Sequence, residues 1–127
     1  MAPPLLEEWI YKKTPSTEMD TGVRVVEYEN SVIIFVFQGS LQRISSWVEG
    51  KVTVDALSGQ SDVTVNVLFG DRDDIWNRVI VRRAVDVAKK KNVLLGISLV
   101  KECKNEIGAQ EVSSIVMDAL RSAKHQH

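Results

Sequence analysis

Two short segments constrain the fold more than any other part of the chain. They are VIIFVF at residues 32–37 and VLLGISLV at residues 93–100. A strand with one face in water alternates apolar with polar residues, whereas these segments are apolar on both faces. We therefore expect two central strands that need cover on both sides. One predicted set of side chains is Val32, Ile34, Val36, Val93, Leu95, Ile97 and Leu99, and the opposite set is Ile33, Phe35, Phe37, Leu94 and Val100.

Further strands are predicted around these two segments. VRVVEYE at residues 23–29 precedes the first segment at hairpin spacing, and residues 41–52 contain another strand. Residues 9–11 begin a short edge strand. Residues 61–69 alternate cleanly, which places Val63, Val65, Val67 and Phe69 on one face.

Two amphipathic helices follow the strands in the sequence. The first predicted apolar stripe is Trp76, Val79, Ile80, Ala84, Val87 and Ala88, and the second is Val112, Ile115, Val116, Ala119, Leu120 and Ala123. This order predicts an α+β fold, an antiparallel-dominated β-sheet of about six strands with two α-helices on one face. A chain of 127 residues suits a single domain spanning residues 1–127, with residues 1–7 and 124–127 as loose ends.

The second face of the sheet is where we expect function. Two helices cover one face only, so a partner subunit is the economical cover for the other. Burying even about 400 Å² of apolar surface there contributes roughly 10 kcal/mol before association costs. Tryptophan is enriched at interface hot spots, and Trp47 lies in an otherwise polar strand. The candidate interface residues are therefore Ile33, Phe35, Phe37, Trp47, Leu94 and Val100.

The stretch LFGDRDDIWNRVIVRRAVDVAKKKN at residues 68–92 has the strongest charge pattern. Its acids, Asp71, Asp73 and Asp74, occupy the positive N-terminal end of the first predicted helix, where they would repel a phosphate. We interpret them as helix-end charges, with Lys89, Lys90 and Lys91 at the other end. Clustered aspartates also suit Mg²⁺, and a small Mg-dependent enzyme stays open as an alternative.

No catalytic, cofactor-binding or metal-binding residue is predicted. Cys103 is the only cysteine, and the only histidines are His125 and His127 in the tail, so neither a nucleophile–base pair nor a disulfide is expected. A net charge of −1 argues against nucleic-acid binding. No segment approaches the ~20 apolar residues of a membrane span. We expect an intracellular, cytoplasmic protein, with the nucleus open as a second compartment.

The sequence resembles the proteasome assembly chaperone 3/4 family. The likeness lies in VTVNVLFGD at residues 63–71, VRRAVDVAKKKNVLLGISL at 81–99 and EVSSIVMDALR at 111–121, with VRVVEYENSVIIFVFQGS at 23–40 as the early hairpin. The resemblance implies a non-enzymatic chaperone of the 20S proteasome with no cofactor. It implies pairing with a sister chaperone, one like proteasome assembly chaperone 3, and binding of the pair to proteasome α-type subunits to guide α-ring formation. We expect a heterodimer with this sister, and a homodimer of the isolated chain is left open.

A different class of protein also fits the predicted fold. Roadblock-like and longin-like scaffolds of trafficking and signalling combine a small sheet with helices and work by dimerising. Fold analogy alone supports this alternative, and the partner recovered with the protein separates it from an assembly chaperone.

Overall fold

A computed structural model describes residues 5–39, 44–70, 75–88 and 91–125 of the chain. Within these ranges the strands are β1 (Leu6–Lys13), β2 (Asp20–Glu27), β3 (Ser31–Gln38), β4 (Ser46–Val54), β5 (Ser61–Phe69) and β6 (Asn92–Ser98). The helices are α1 (Ile75–Val87) and α2 (Glu106–His125), with a single 3₁₀ turn at Lys101–Cys103 between β6 and α2.

The described strands form one sheet in the order β1-β2-β3-β6-β4-β5. All neighbouring pairs are antiparallel except β3 and β6, which run parallel. The last strand of the chain is therefore inserted between β3 and β4, at the centre of the sheet. The predicted α+β fold with an antiparallel-dominated sheet is confirmed, and the parallel pair is the feature that the sequence pattern did not reveal.

Both helices pack on the same face of the sheet. α1 contacts β4, β5 and β6, whereas α2 contacts β1 and β2. The core lies between the helices and the sheet, and it contains the side chains of Ile34, Leu95 and Ile97 without exposure to solvent beyond 1%. These residues belong to the set that the sequence analysis assigned to the helix-covered side. From α2 the core receives Val112, Ile115, Val116, Ala119 and Leu120, which are the predicted stripe up to the limit of the described side chains.

The buried stripe of α1 differs from the predicted one. Ile80, Ala84 and Ala88 are buried as expected, but Val79 is exposed. Trp76 and Val87 are only half-buried. Instead the helix buries Asn77, Val81 and Val85, which are rotated around the axis from the predicted stripe. The reason is that α1 lies over β4, where Gly50 leaves room that the side chains of Val81 and Val85 fill.

Phe69 is another correction, because it does not share a face with Val63, Val65 and Val67. Val67 is opposite Val48, but Phe69 is opposite Trp47, with a register shift between them. The shift adds a residue to β5, and an extra residue reverses the alternation of faces beyond it. The three valines pack against the core, while Phe69 is exposed at the end of the strand.

Candidate interaction surface

The face of the sheet that carries neither described helix is defined here as the open face. Strand register places five large apolar residues of the central strands on it, namely Ile33, Phe35, Phe37, Leu94 and Trp47, with Glu49 opposite Leu94. Each is half-buried, in contrast to the fully buried residues that alternate with them. This face is therefore apolar at its centre, as the two-sided apolar strands predicted.

An aromatic row crosses the open face from β1 to β4. We use this name for Trp9, Arg24, Phe35 and Trp47. Trp9 is opposite Arg24, and Arg24 is opposite Phe35 in the next strand pair. Phe35 is opposite Gly96, and Gly96 is opposite Trp47. The rings of Phe35 and Trp47 meet edge to face, with centroids 5.7 Å apart.

Arg24 joins the two halves of the aromatic row. Its guanidinium carbon lies 5.5 Å from the centroid of the Trp9 ring and 5.7 Å from that of Phe35. Its Nη2 also lies 3.3 Å from a carboxylate oxygen of Glu7. A cation between two aromatic rings gains roughly 0.5–1 kcal/mol from each ring at a partly exposed site. The buried Nε donor of Arg24 has no hydrogen-bond acceptor among the described residues.

Glycines let two large aromatic side chains approach the backbone of the sheet closely. A Cβ on Gly96 would lie 2.8 Å from carbons of the Trp47 ring, and a Cβ on Gly22 would lie 2.8 Å from the Tyr11 ring. Tyr11 in turn stacks on Trp9, with centroids 5.9 Å apart. The result is a broad aromatic surface close to the backbone, although Trp9 remains 47% exposed and Tyr11 72%.

Val100 was also predicted as an interface residue, but it lies beyond the end of β6 and is not part of the sheet. β6 ends at Ser98, and Val100 leads into the 3₁₀ turn. Its N–H donates to the Oε1 of buried Gln38 at 3.0 Å. The segment was predicted to be a strand up to Val100, but this hydrogen bond to the end of β3 turns the chain out of the sheet.

The helix-end charges are only partly within the described residues. Asp71, Asp73, Asp74, Lys89 and Lys90 lie outside them. Lys91 is described, and it is not a residue of α1, which ends at Val87. Its Nζ lies 2.9 Å from Glu27 Oε1 and donates at 2.9 Å to the carbonyl of Tyr28, so it links the start of β6 to the end of β2. A cation that reaches two oxygen acceptors at the end of β2 is better placed there than at a helix end.

Arg24 and Tyr11 belong to the open face but are not among the residues predicted for it. The available signal was the alternation of Glu7, Trp9 and Tyr11 along β1, which indicates that the two aromatic residues share a face. Arg24 has no such signal, because an arginine among valines reads as a solvated position. Its role depends on the pairing of β2 with both β1 and β3.

The described residues offer little chemistry elsewhere. Cys103 is buried, and its Sγ lies 3.3 Å from Gln38 Nε2 and 3.5 Å from Thr17 Oγ1. No group of three or more His, Cys, Asp or Glu residues lies close enough to hold a metal ion in the described ranges. Within the same ranges, no helix is long and apolar enough to cross a membrane.

Comparison with known proteins identifies the class to which this fold and surface belong. The chain is similar in structure to a chain of the crystal structure of a novel chaperone complex for yeast 20S proteasome assembly. The TM-score is 0.65 at 14% sequence identity, over 90% of this chain and 98% of that one. At this identity the likeness establishes the fold: it is the fold of a protein in a proteasome assembly chaperone complex.

A sequence model of the family proteasome assembly chaperone 3 matches residues 38–117, more than half of the chain. The chain belongs to the proteasome assembly chaperone 3 family, and its role is that of a chaperone in proteasome assembly. The family is non-enzymatic, so the protein is not an enzyme. Among curated protein sequences, none matches the chain.

Proposed function

We propose that this chaperone works as one half of a pair. It binds a sister chaperone through the open face, and the pair binds proteasome α-type subunits and promotes formation of the α-ring of the 20S proteasome. The observation that carries the proposal is the aromatic row, which lies across the centre of a sheet face that no described helix covers. Aromatic residues and arginine dominate the binding energy of protein interfaces.

The geometry of the open face suits a second sheet. The rings of Tyr11 and Trp47 approach the strand backbone closely at Gly22 and Gly96, and Trp9 stacks on Tyr11. Two sheets pack face to face about 10 Å apart with interdigitating side chains. The Arg24 side chain remains 36% exposed at the centre of this surface, and we expect the sister chaperone to contact it.

The identity of the sister follows from the sequence resemblance. We infer that the chain corresponds to proteasome assembly chaperone 4 and that its partner is like proteasome assembly chaperone 3. The segments at residues 63–71, 81–99 and 111–121 support this assignment. A cytoplasmic site of assembly accords with Cys103 as a free, buried thiol. In isolation, two copies of the chain are expected to pair through the same face, but more weakly than the heterodimer.

Pairing is tested by co-expressing the chain with a chaperone of the chaperone 3 type and measuring the mass of the complex by native mass spectrometry. Phe35→Ser removes the ring between Arg24 and Trp47, and we expect it to weaken pairing by at least about 100-fold, as for the loss of a central aromatic anchor. Ile107→Ser is the matched control, because Ile107 is also an exposed apolar residue but begins α2 on the other side of the sheet.

Binding to proteasome subunits is tested separately with purified α-type subunits. The wild-type pair is expected to form a complex with them and to raise the yield of α-rings, while the Phe35→Ser chain is expected to do neither. Equal pairing by the Phe35→Ser and Ile107→Ser chains would refute the open face as the interface. A pair that forms but never retains an α-type subunit would refute the second half of the proposal alone.

A further inference from the structure

The outer edge of β5 has backbone groups that face away from the sheet. β5 pairs with β4 on one side, and no described strand lies on its other side. In the turn between them the N–H of Asp55 donates to the carbonyl of Gln60 at 2.9 Å, which makes these two residues a hydrogen-bonded pair. Hydrogen-bonded pairs alternate with non-bonded ones along an antiparallel ladder. Val63, Val65 and Val67 therefore fall in the non-bonded pairs and direct their N–H and C=O groups outward.

Two side-chain contacts confirm this alternation. The N–H of Val63 donates to the Oδ1 of Asp62 at 2.8 Å instead of to β4. Val52 is the residue opposite Val63, and its N–H points the other way, donating to Asn92 Oδ1 at 2.8 Å. The edge N–H groups of Val65 and Val67 have no comparable side-chain acceptor among the described residues, so they are available to an added strand.

The two edges of the sheet differ in how they are protected. Exposed edge strands usually carry charges that discourage pairing with another chain. β1 follows this rule with Glu7, Glu8, Lys12 and Lys13. β5 does not: Asp62 is its only charged residue, and the rest of the strand is β-branched or apolar apart from Ser61 and Asn66. An edge without protective charges is suited to strand addition.

The groove is the name used here for the strip of surface between the outer edge of β5 and α1. At its Ser61 end lies a pocket lined by Ser61, Asp62, Val63, Arg82 and Asp86, together with Val52. The first half of β5 therefore lies beside the second half of α1, so the two elements run in opposite directions. The same stripe of α1 continues at helical spacing through Val79 and Ile75, both exposed, toward the other end of β5.

The two ends of the groove differ in chemical character, and this difference indicates which ligand would fit. Its Ser61 end carries the carboxylates of Asp62 and Asp86, with Arg82 as the one basic residue among the lining side chains. The opposite end exposes the apolar side chains of Ile75 and Val79. A strand added to the edge would place alternate side chains over this stripe. Complementarity then calls for a basic residue at the first end and apolar residues at the second.

We propose that the outer edge of β5 binds an extended segment of a partner protein as an additional strand, with a basic residue beside Asp62 and Asp86 and apolar residues beside Ile75 and Val79. The site is separate from the open face, because the outward backbone groups lie in the plane of the sheet. A chaperone whose open face is occupied by its sister keeps this edge free for a client.

The test uses the full chain and a fluorescent synthetic peptide of alternating valine and threonine with lysines at one end. Binding is measured by fluorescence anisotropy at low ionic strength. One control peptide carries glutamates in place of the lysines, and we expect it to bind about fivefold more weakly. A second control carries N-methyl groups on consecutive backbone amides, so that both of its edges lack donors, and it is expected not to bind, because an added strand needs donors on the edge that faces β5.

Protein variants locate the binding site on the edge. Val65→Pro removes an outward N–H without removing a hydrogen bond to β4, and we expect it to weaken peptide binding at least about fivefold, the value of a lost net hydrogen bond. Val67→Pro is a second variant of the same kind, should the first fail to fold. Val65→Thr keeps the N–H and the β-branched shape, and it is expected to bind as the wild type does.

Three results would overturn the proposal: equal binding of the N-methylated peptide, unchanged binding by a folded proline variant, or self-association of the chain that Val65→Pro abolishes while no peptide binds. The last result would assign the edge to a second copy of the chain. Pairing with the sister chaperone is measured on the same proline variants and is expected to be unchanged, so failure at the edge is distinguishable from failure at the open face.

Discussion

The indole ring of Trp47 lies over Gly96, so that a Cβ on residue 96 would come within 2.8 Å of two ring carbons. Gly50 has a similar close contact on the opposite face of the sheet, where a Cβ would lie 2.8 Å from a methyl group of Val85 and 3.2 Å from one of Val81. The two glycines have different neighbours, since the ring of Trp47 borders the open face and the valines belong to the core. We therefore expect a substitution at Gly50 to lower mainly stability and one at Gly96 to weaken mainly pairing.

Gly96→Ala is expected to lower the free energy of unfolding by less than about 1 kcal/mol, because the end of the Trp47 ring is able to move toward solvent. Gly50→Ala is expected to cost about 2 kcal/mol, since Val81 and Val85 are packed and an added methyl group strains the core. Urea denaturation measures both values. Pairing with the sister chaperone should show the opposite ranking, with Gly96→Ala the weaker binder. If both variants lose equal stability, the Trp47 ring is held as firmly as the core.

Gln38 holds three elements together through a buried amide. Its Nε2 lies 3.1 Å from Thr21 Oγ1 and 3.3 Å from Cys103 Sγ, and its Oε1 accepts from the N–H of Val100. Gln38→Leu leaves these partners without their hydrogen bonds, and we expect a loss of about 2 kcal/mol in the free energy of unfolding.

Gln38→Glu provides the matched control for shape. It is expected to be less stable than the wild type at neutral pH, because a carboxylate replaces a buried amide, and to regain stability as the pH falls and the carboxyl group is protonated. Denaturation at several pH values gives the comparison. A pH-independent deficit would indicate that shape, rather than hydrogen bonding, matters at this position.

The ion pair between Lys91 and Glu27 is expected to contribute more than the pair between Lys12 and Asp118. Both have an N–O distance of 2.9 Å, but the side chains of the first pair are 26% and 16% exposed and those of the second 48% and 44%. Double-mutant cycles with methionine and alanine replacements should give a coupling of about 0.5–1 kcal/mol for the first pair and less than about 0.5 kcal/mol for the second. Added salt should reduce the second value more strongly. Equal couplings would mean that burial has no influence at this range of exposure.

The turn between β4 and β5 makes a prediction about pH. The backbone N–H of Leu57, followed by the side chain of Ser58, lowers the pKa of Asp55 below its ordinary value of 3.8. A carboxyl group with a lowered folded-state pKa favours the folded turn above its unfolded pKa, and this contribution is lost as the pH falls through the folded value. NMR titration should therefore show the Leu57 amide shifting with a midpoint below 3.8. Asp55→Asn should remove the titration, whereas Asp62→Asn, on the neighbouring strand, should leave it in place.

The sequence predicted the composition of the sheet better than its connections. The alternation of Val32, Ile34 and Val36 with Ile33, Phe35 and Phe37 grouped the residues of β3 into two faces, because side chains alternate with a period of two, but which face the helices cover is settled only by the fold. The parallel pairing of β3 with β6 could not be predicted from local sequence patterns, since it joins residues far apart in the chain. The same limit applies to Arg24, whose contacts with Trp9 and Phe35 exist only once three strands are aligned. Errors in α1 and at Phe69 arose where a packed neighbour or a bulge overrode the local period.

The position of β6 has a consequence for the order in which the protein is completed. β1, β2 and β3 form one hairpin-linked unit, and β4 and β5 form another, but no described hydrogen-bonded strand pair joins the two units except through β6. During synthesis the ribosome has to release residue 98 before the halves are able to meet. Until then each half exposes an edge of β3 or β4 that β6 later occupies, so the nascent chain is at its most vulnerable to misassembly just before its own last strand arrives. The folding of this assembly chaperone therefore includes a late step in which β6 joins two strand units made earlier.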